Sequence, residues 1–162
     1  MSACFTRSNA SQRGFTMTEL ITVIVIVGIM GAAVVPRFFE RQSFDSRGFY
    51  DQTISTLRYA QKTAIAQHRY VCVTFAANSI TLTYDSISPS VAHPIAACDT
   101  NLSRPTGETY YTVTAPSGVT LSGYADFNFD ALGKPNIAAT QIISVYGYAT
   151  TINVEMETGY VH

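Results

Sequence analysis

The chain has 162 residues, which is room for one domain and a long anchoring helix and too little for two independent domains. Its formal net charge is −1, so no basic surplus marks nucleic acid as a main partner. Only 13% of the residues are charged and none is Trp, whereas Thr, Ser and Tyr are frequent, which suits a Thr- and Tyr-rich sheet in an extracytoplasmic domain.

Residues 1–14 are polar and mildly basic, and they precede an apolar run that contains no charge from Leu20 to Val35. With its flanking aromatic residues the run reaches about 20 residues, which as a helix spans roughly 30 Å, the hydrocarbon core of a bilayer. Arg7 and Arg13 lie before the run, so the positive-inside rule predicts a cytoplasmic N-terminus and an exported remainder. A simple signal anchor is the plainest interpretation of this pattern.

Two residues indicate more than an anchor. Glu19 lies at the edge of the apolar run, where a carboxylate is unfavourable and contributes nothing to anchoring. Gly14 stands immediately before Phe15, and a small residue there allows a protease to approach the backbone closely. The sequence from Gly14 onwards, GFTMTELITVIVIVGI, resembles the N-terminal signature of type IV pilins and type II secretion pseudopilins.

That resemblance implies cleavage between Gly14 and Phe15 by a prepilin peptidase, N-methylation of Phe15 and a role for Glu19 in assembly. Methylation keeps the amine charged, so Glu19 of an incoming subunit would pair with the Phe15 ammonium of a neighbour. The chain would be a substrate of these enzymes and not an enzyme. Expected partners are other pilins, the prepilin peptidase, the inner-membrane assembly platform and membrane lipid, with no cofactor, no metal and no nucleic acid.

Pro36 follows the apolar run, and a proline inside a helix removes a backbone hydrogen bond, which predicts a kink. Beyond it, residues 45–67 carry apolar side chains at helical spacing, which predicts an amphipathic helix that packs on a sheet. Its apolar stripe consists of Phe49 or Tyr50, Ile54, Leu57, Ala60 or Gln61, Ala64 and Ile65. The sequence leaves open whether the helix continues unbroken through residues 43–50.

The run LRYAQKTAIA, Leu57 to Ala66, is similar to a helix of GspH/FimT-type minor pilins and pseudopilins, and more closely to the MshC-type minor pilins of mannose-sensitive haemagglutinin (MSHA) pili. The resemblance implies a minor subunit that primes, caps or is incorporated into an MSHA-like type IV pilus. The alternatives are a GspH-like pseudopilin of type II secretion and, from another class, an adhesive or DNA-binding pilus-tip module. DNA binding is disfavoured because Arg104 and Lys134 are the only basic residues of the second half.

After Gln67, alternating patterns rich in β-branched residues predict strands at 70–76, 80–84, 108–114, 119–121, 125–129, 141–146, 150–155 and 160–161. Residues 85–107 contain three prolines and predict a long loop. One helix followed by many strands predicts an α+β fold, type IV pilin-like by the resemblance, with the long helix packed on an antiparallel sheet.

The predicted organisation has three parts. Residues 1–14 form a leader that is cleaved in the cytoplasm, and residues 15–41 form a transmembrane and assembly helix. Residues 42–162 form a soluble periplasmic domain. The protein would first be a single-pass protein of the bacterial inner membrane and then part of a pilus or pseudopilus.

Cys72 and Cys98 form an even pair once the leader is removed, which predicts a disulfide in an oxidising compartment. A metal site is the alternative, because His68 and His93 lie a few residues before the two cysteines. That spacing differs from a compact zinc site, so the disulfide is favoured. No arrangement of nucleophile and base indicates catalysis.

Overall fold

The computed structural model describes residues 14–93 and 96–162, apart from the side chains of residues 33–40. The chain divides into two compact units, residues 1–39 and 40–162. The predicted leader up to residue 13 and the side chain of the predicted kink at Pro36 lie outside the described residues. Among the described residues, no helix combines the length and apolar character needed to cross a membrane.

Helix α1 (Met17–Gln67) is assigned without a break through residues 43–50. In the second unit its buried side chains recur three or four residues apart, which defines one helical face. They are Ser46, Phe49, Tyr50, Thr53, Thr56, Leu57, Ala60, Thr63 and Ala64. Ile65 was predicted on this face but is 44% exposed. The buried face runs through Ala60 and Ala64, and Ile65 lies one position past it around the helix.

The C-terminal end of α1 is closed by a hydrogen-bonded turn centred on His68. The backbone N–H of Arg69 donates to the carbonyl of Ala64 at 3.2 Å, and that of His68 donates to Ile65 at 3.4 Å. This is the Schellman arrangement, in which the residue after the helix adopts a left-handed conformation. His68 does so with φ of +49°, at a position that glycine usually occupies.

The strands of the second unit are β1 (Val71–Ala76), β2 (Ser79–Tyr84), β3 (Thr100–Asn101), β4 (Tyr111–Thr114), β5 (Leu121–Ser122), β6 (Phe127–Phe129), β7 (Gln141–Val145) and β8 (Ile152–Val154). All their pairings are antiparallel. The strands predicted at 70–76 and 80–84 are present as β1 and β2, which pair as a hairpin with Cys72 opposite Thr83. The strand predicted at 160–161 is reduced to a single bridge between Val161 and Val154.

The α+β fold with a helix on antiparallel strands is confirmed, but the strands form two sheets and not the single sheet that was predicted. The first sheet has the order β3-β2-β1-β6, with β4 also paired to β2, and the second has the order β5-β7-β8. The outer edge of β6 is occupied, because Asn136 donates its N–H to the carbonyl of Asn128 at 3.0 Å and Pro135 bridges to Phe129. No further strand can join the first sheet there, so the later strands pair among themselves.

The segment 85–107, predicted to be a loop throughout, contains strand β3. Thr100 and Asn101 pair with Tyr84 and Thr83 at the end of β2. Two polar residues in a proline-containing stretch carry no alternating pattern, so the composition alone did not indicate a strand.

One hydrophobic core joins α1 to both sheets. It includes Leu57 of the helix, Val73 of the first sheet and Ile143 of the second, each at most 1% exposed. Polar contacts fix the same arrangement, since Gln61 donates from Nε2 to the carbonyls of Gly133 at 3.0 Å and Thr158 at 2.8 Å. The helix therefore holds the turns of both sheets as well as their apolar faces.

Candidate functional site

The N-terminal end of α1 is capped by Thr16. The Thr16 hydroxyl accepts a hydrogen bond from the N–H of Glu19 at 3.3 Å, and the Thr16 carbonyl accepts from the N–H of Leu20 at 3.1 Å. Thr16 is thus the N-cap, and Glu19 is the third helical residue, the position of the acid in a capping box. A carboxylate in the first turn also interacts favourably with the helix dipole. Glu19 therefore occupies the acid position of a capping box in the first turn of α1, which the sequence analysis did not recognise.

The side chains of residues 14–32 are exposed on every side of the helix. Phe15 and Met17 are 80% exposed, and Ile29 is 67% exposed. An amphipathic helix would bury one stripe, whereas this segment presents apolar surface all around. Apolar surface of this extent is a contact surface for lipid or for another protein chain.

The residues predicted for processing and assembly lie together at this end. Gly14, Phe15, Thr16 and Glu19 line one shallow depression. A Cβ atom added to Gly14 would meet no atom within 4 Å, so nothing within the described chain requires glycine at that position. Any requirement for a small residue there comes from a molecule that approaches from outside.

The second predicted site lies on the first sheet. A disulfide joins Cys72 of β1 to Cys98, with the two Cα atoms 6.0 Å apart and 26 residues of sequence separation. Cys98 has a φ of +48°, a left-handed conformation that is uncommon for residues other than glycine. The disulfide ties the segment after β2 down onto the sheet.

Asp85 anchors the same segment, and the sequence analysis missed it. Its carboxylate is fully buried and accepts hydrogen bonds from the N–H of Ala97 at 2.7 Å and of Ile87 at 2.9 Å. The Nε2 atom of His93 lies 2.8 Å from Oδ2, the oxygen that also accepts from Ala97. Burial raises the pKa of Asp85, but the hydrogen bonds from Ala97, His93 and Ile87 outweigh it and leave the pKa below its ordinary value. An aspartate directly after a strand is typical of a solvated turn, so no sequence pattern marked it.

The metal alternative finds no support in this geometry. Cys72 and Cys98 are bonded to each other, and the ring of His93 is engaged with Asp85. Within the described residues, no group of three or more His, Cys, Asp or Glu side chains is placed to hold a metal ion.

Comparisons with known proteins found one family motif and two curated relatives. Residues 9–35 match the family model of the prokaryotic N-terminal methylation motif. The type IV major pilin protein PilA of Myxococcus xanthus (strain DK1622) is 33% identical over 61 residues, which is 38% of this chain and 28% of that protein. The type IV narrow pilus major component PilA5 of Thermus thermophilus is 40% identical over 55 residues, which is 34% of this chain and 47% of that protein.

Among solved structures, the type IV minor pilin FimU of Pseudomonas aeruginosa (strain PAO1) aligns with 69% of this chain and 86% of its own, with a TM-score of 0.46 and 13% sequence identity. The chain spans less than half the length of the two curated relatives it matches.

The methylation motif defines the class of the N-terminal segment first: residues 9–35 are similar to segments that undergo N-terminal methylation in prokaryotes. Together with the two pilin relatives, it shows that part of this chain is similar to type IV pilins.

Proposed function

We propose that the chain is a minor pilin that primes, caps or is incorporated into an MSHA-like type IV pilus. The observation that carries the proposal is the first part of α1, which is apolar and exposed on all sides and has one acid, Glu19, in its first turn. The names of the two curated relatives, both components of type IV pili, support a pilus over a secretion system. The run LRYAQKTAIA supports the minor, MSHA-like assignment through its resemblance to such subunits.

Maturation begins with cleavage between Gly14 and Phe15 by the prepilin peptidase, followed by methylation of the new amine of Phe15. A Cβ atom at position 14 would meet no atom of the described chain within 4 Å. This supports a requirement for glycine that comes from the peptidase and not from the fold. A larger residue at position 14 would therefore block cleavage and leave folding unchanged. Until assembly, the apolar segment anchors the subunit in the inner membrane with the second unit in the periplasm.

Assembly joins the apolar segment to those of other pilins, delivered by the inner-membrane platform. In a surrounding of apolar side chains, the Glu19 carboxylate is stabilised when it pairs with the Phe15 ammonium of a neighbouring subunit. Unpaired, both charges would remain in a low-dielectric environment, which is strongly unfavourable. The pairing would fix the axial position of each subunit in the filament.

Two substitutions separate this role from any contribution of the Glu19 side chain to capping of helix α1. Glu19→Gln keeps a side chain suited to the third position of a capping box but removes the charge, whereas Glu19→Ala removes both. We expect both variants to be cleaved, and both to be incorporated into sheared filaments at least about tenfold less than the native chain, because the ammonium is left unpaired. Cleavage is read from the intact mass and incorporation from immunoblots of filament fractions.

Asp51→Asn is the matched control, since Asp51 is an exposed acid on the second part of α1. It should be cleaved and incorporated normally. Normal incorporation of Glu19→Gln alongside loss of Glu19→Ala would assign the residue to helix capping and contradict the charge pairing.

A further inference from the structure

The face of the first sheet that points away from α1 carries a cleft. Along β1, Val71 and Val73 are buried in the core, so Cys72 between them lies on the opposite, outer face. In the ladder, Cys72 is flanked by Asn128 of β6 and Thr83 of β2. Because Cys98 is bonded to Cys72, the segment containing Cys98 lies over this face and forms a wall beside β6.

Two adjoining cavities occupy the space between that wall and β6. Their volumes are about 410 Å³ and 450 Å³, and both are lined by Ala96, Asn128 and Asn136. Each volume lies within the range of roughly 300–1,000 Å³ that is usual for sites binding small ligands. The cleft lies wholly within the second unit and is separate from the N-terminal end of α1.

Both walls are held in place by contacts that need no ligand. On the loop side, the disulfide fixes Cys98, and the buried carboxylate of Asp85 accepts the N–H of Ala97 at 2.7 Å. On the sheet side, Oδ1 of Asn136 accepts the N–H of Asn128 at 2.8 Å. A site fixed in this way loses little conformational entropy when a ligand binds.

The polar lining includes Asp126, Asn128, Asp130, Lys134 and Asn136, together with the hydroxyl-bearing residues Tyr70, Thr74 and Thr83. Asp126 uses Oδ1 to accept the N–H of Phe75 at 2.8 Å, so its second oxygen remains an acceptor. Asp130 likewise uses Oδ1, for the N–H groups of Leu132 and Lys134, each at 2.9 Å. The side-chain amide of Asn128 has no hydrogen-bond partner among the described residues, so it offers both a donor and an acceptor.

The charges of the cleft select against ions. Two carboxylates disfavour an anion, and the ammonium of Lys134, 2.7 Å from Glu157, is already paired. Within the part of the chain that the structure describes, no group of three or more His, Cys, Asp or Glu side chains is placed to hold a metal ion, which disfavours a simple cation. A hydroxyl group both donates and accepts, so a ligand bearing several hydroxyls satisfies carboxylate and amide groups together. We propose that this cleft, the Asn128 cleft, binds a neutral carbohydrate in pyranose form.

The test uses the full-length chain in a detergent without a sugar headgroup. Methyl glucoside, methyl galactoside, methyl mannoside and methyl N-acetylglucosaminide are titrated by saturation-transfer-difference NMR, with lysine amide and phosphate as cationic and anionic probes. At least one pyranoside should bind saturably with a millimolar Kd. Asn128→Ala should weaken that binding about tenfold, because the hydrogen bonds of one amide are lost.

Asn101→Ala is the matched control, because Asn101 is exposed on β3, opposite Thr83, and lines neither cavity. It should bind the same sugar as the native chain does. Asn128→Asp, which keeps the shape and removes the N–H donors, serves as a second variant should Asn128→Ala fail to fold.

Three results would overturn the proposal: no pyranoside binds saturably, the Asn128 variants bind as tightly as the native chain, or lysine amide or phosphate binds in the cleft in place of the sugars. None of these results would affect the pilin assignment, which rests on the N-terminal segment.

Discussion

The two parts of helix α1 share one type of backbone and have opposite surroundings. Between Met17 and Ala32 the side chains are exposed on every side, although most are apolar. Between Ser46 and Ala64 one face is buried in a core shared with two sheets. The backbone hydrogen bonds of a helix form in either setting, so the apolar pattern decides what each part does. The second part stabilises its own unit, whereas the first presents a surface that something else must cover.

The largest effect on the second unit should come from removing the disulfide. The bond closes a loop across 26 residues of sequence, and in the chain-entropy model its loss lowers the free energy of unfolding by roughly 3–4 kcal/mol. Urea unfolding of the full chain, with and without dithiothreitol, measures the difference. The variant with both Cys72→Ser and Cys98→Ser should unfold like the reduced native chain and be insensitive to the reductant; equal stability of oxidised and reduced chains would contradict the expectation.

A pair of leucines tests the contrast between the two parts of α1 directly. Leu57 is fully buried and Leu20 is 53% exposed. Leu57→Ala should lower the free energy of unfolding by about 3 kcal/mol through lost burial and a residual cavity. Leu20→Ala should change it by less than about 0.5 kcal/mol.

The same urea titration measures both leucine variants. Any effect of Leu20→Ala should appear in the amount of subunit incorporated into filaments and not in the free energy of unfolding. A large loss of unfolding stability in Leu20→Ala would remove the distinction between the two parts.

Asp85 should make the second unit sensitive to acid. Its folded-state pKa is below the ordinary value, so its contribution to stability is fully present above the unfolded pKa of about 4 and is lost as the pH falls through the folded pKa. Asp85→Asn should lower stability at neutral pH by roughly 1–3 kcal/mol, because the N–H donors of Ile87 and Ala97 lose a carboxylate acceptor. It should also flatten the fall in stability below about pH 4.

Thermal or urea unfolding between neutral pH and acid, compared with the exposed Asp51→Asn control, measures both effects. An unchanged acid profile in Asp85→Asn would show that other carboxylates cause the acid sensitivity.

The smallest expected effect is an increase in the free energy of unfolding, caused by a substitution at His68. His68 has a φ of +49° at the end of α1, where a residue with a side chain is strained. His68→Gly removes that strain but increases the freedom of the unfolded chain, so a net stabilisation of about 0.5–1 kcal/mol is expected. Lys62→Gly, six residues earlier at an exposed position inside the helix, should instead destabilise by about 1 kcal/mol. Two changes of the same sign would contradict the assigned helix end.

The sequence predicted the elements whose polarity follows a regular period. Strands β1 and β2 were placed within one residue, because YVCVTFA alternates between core and surface. The turn between them is formed by Ala77-Asn78. The amphipathic part of α1 was also predicted, although its buried threonines were not. Thr53 is accommodated because its hydroxyl donates to the carbonyl of Phe49, a contact that a polarity pattern does not record.

The features that escaped prediction depend on contacts between residues distant in sequence. Asp85 is buried because the backbone at Ala97, together with His93, surrounds it with donors. The strands divide into two sheets because the turn that contains Asn136 covers the edge of β6. The Asn128 cleft exists because a disulfide holds a loop over the outer face of the first sheet. None of these has a local sequence pattern, whereas Gly14, Phe15 and Glu19 lie in one continuous motif.

The most direct test of the account is the intact mass of the protein isolated from cells with a working processing enzyme. The account predicts a chain that begins at Phe15 and carries one added methyl group. A mass that still includes residues 1–14 would contradict it, since the apolar segment would then be an ordinary anchor for the second unit.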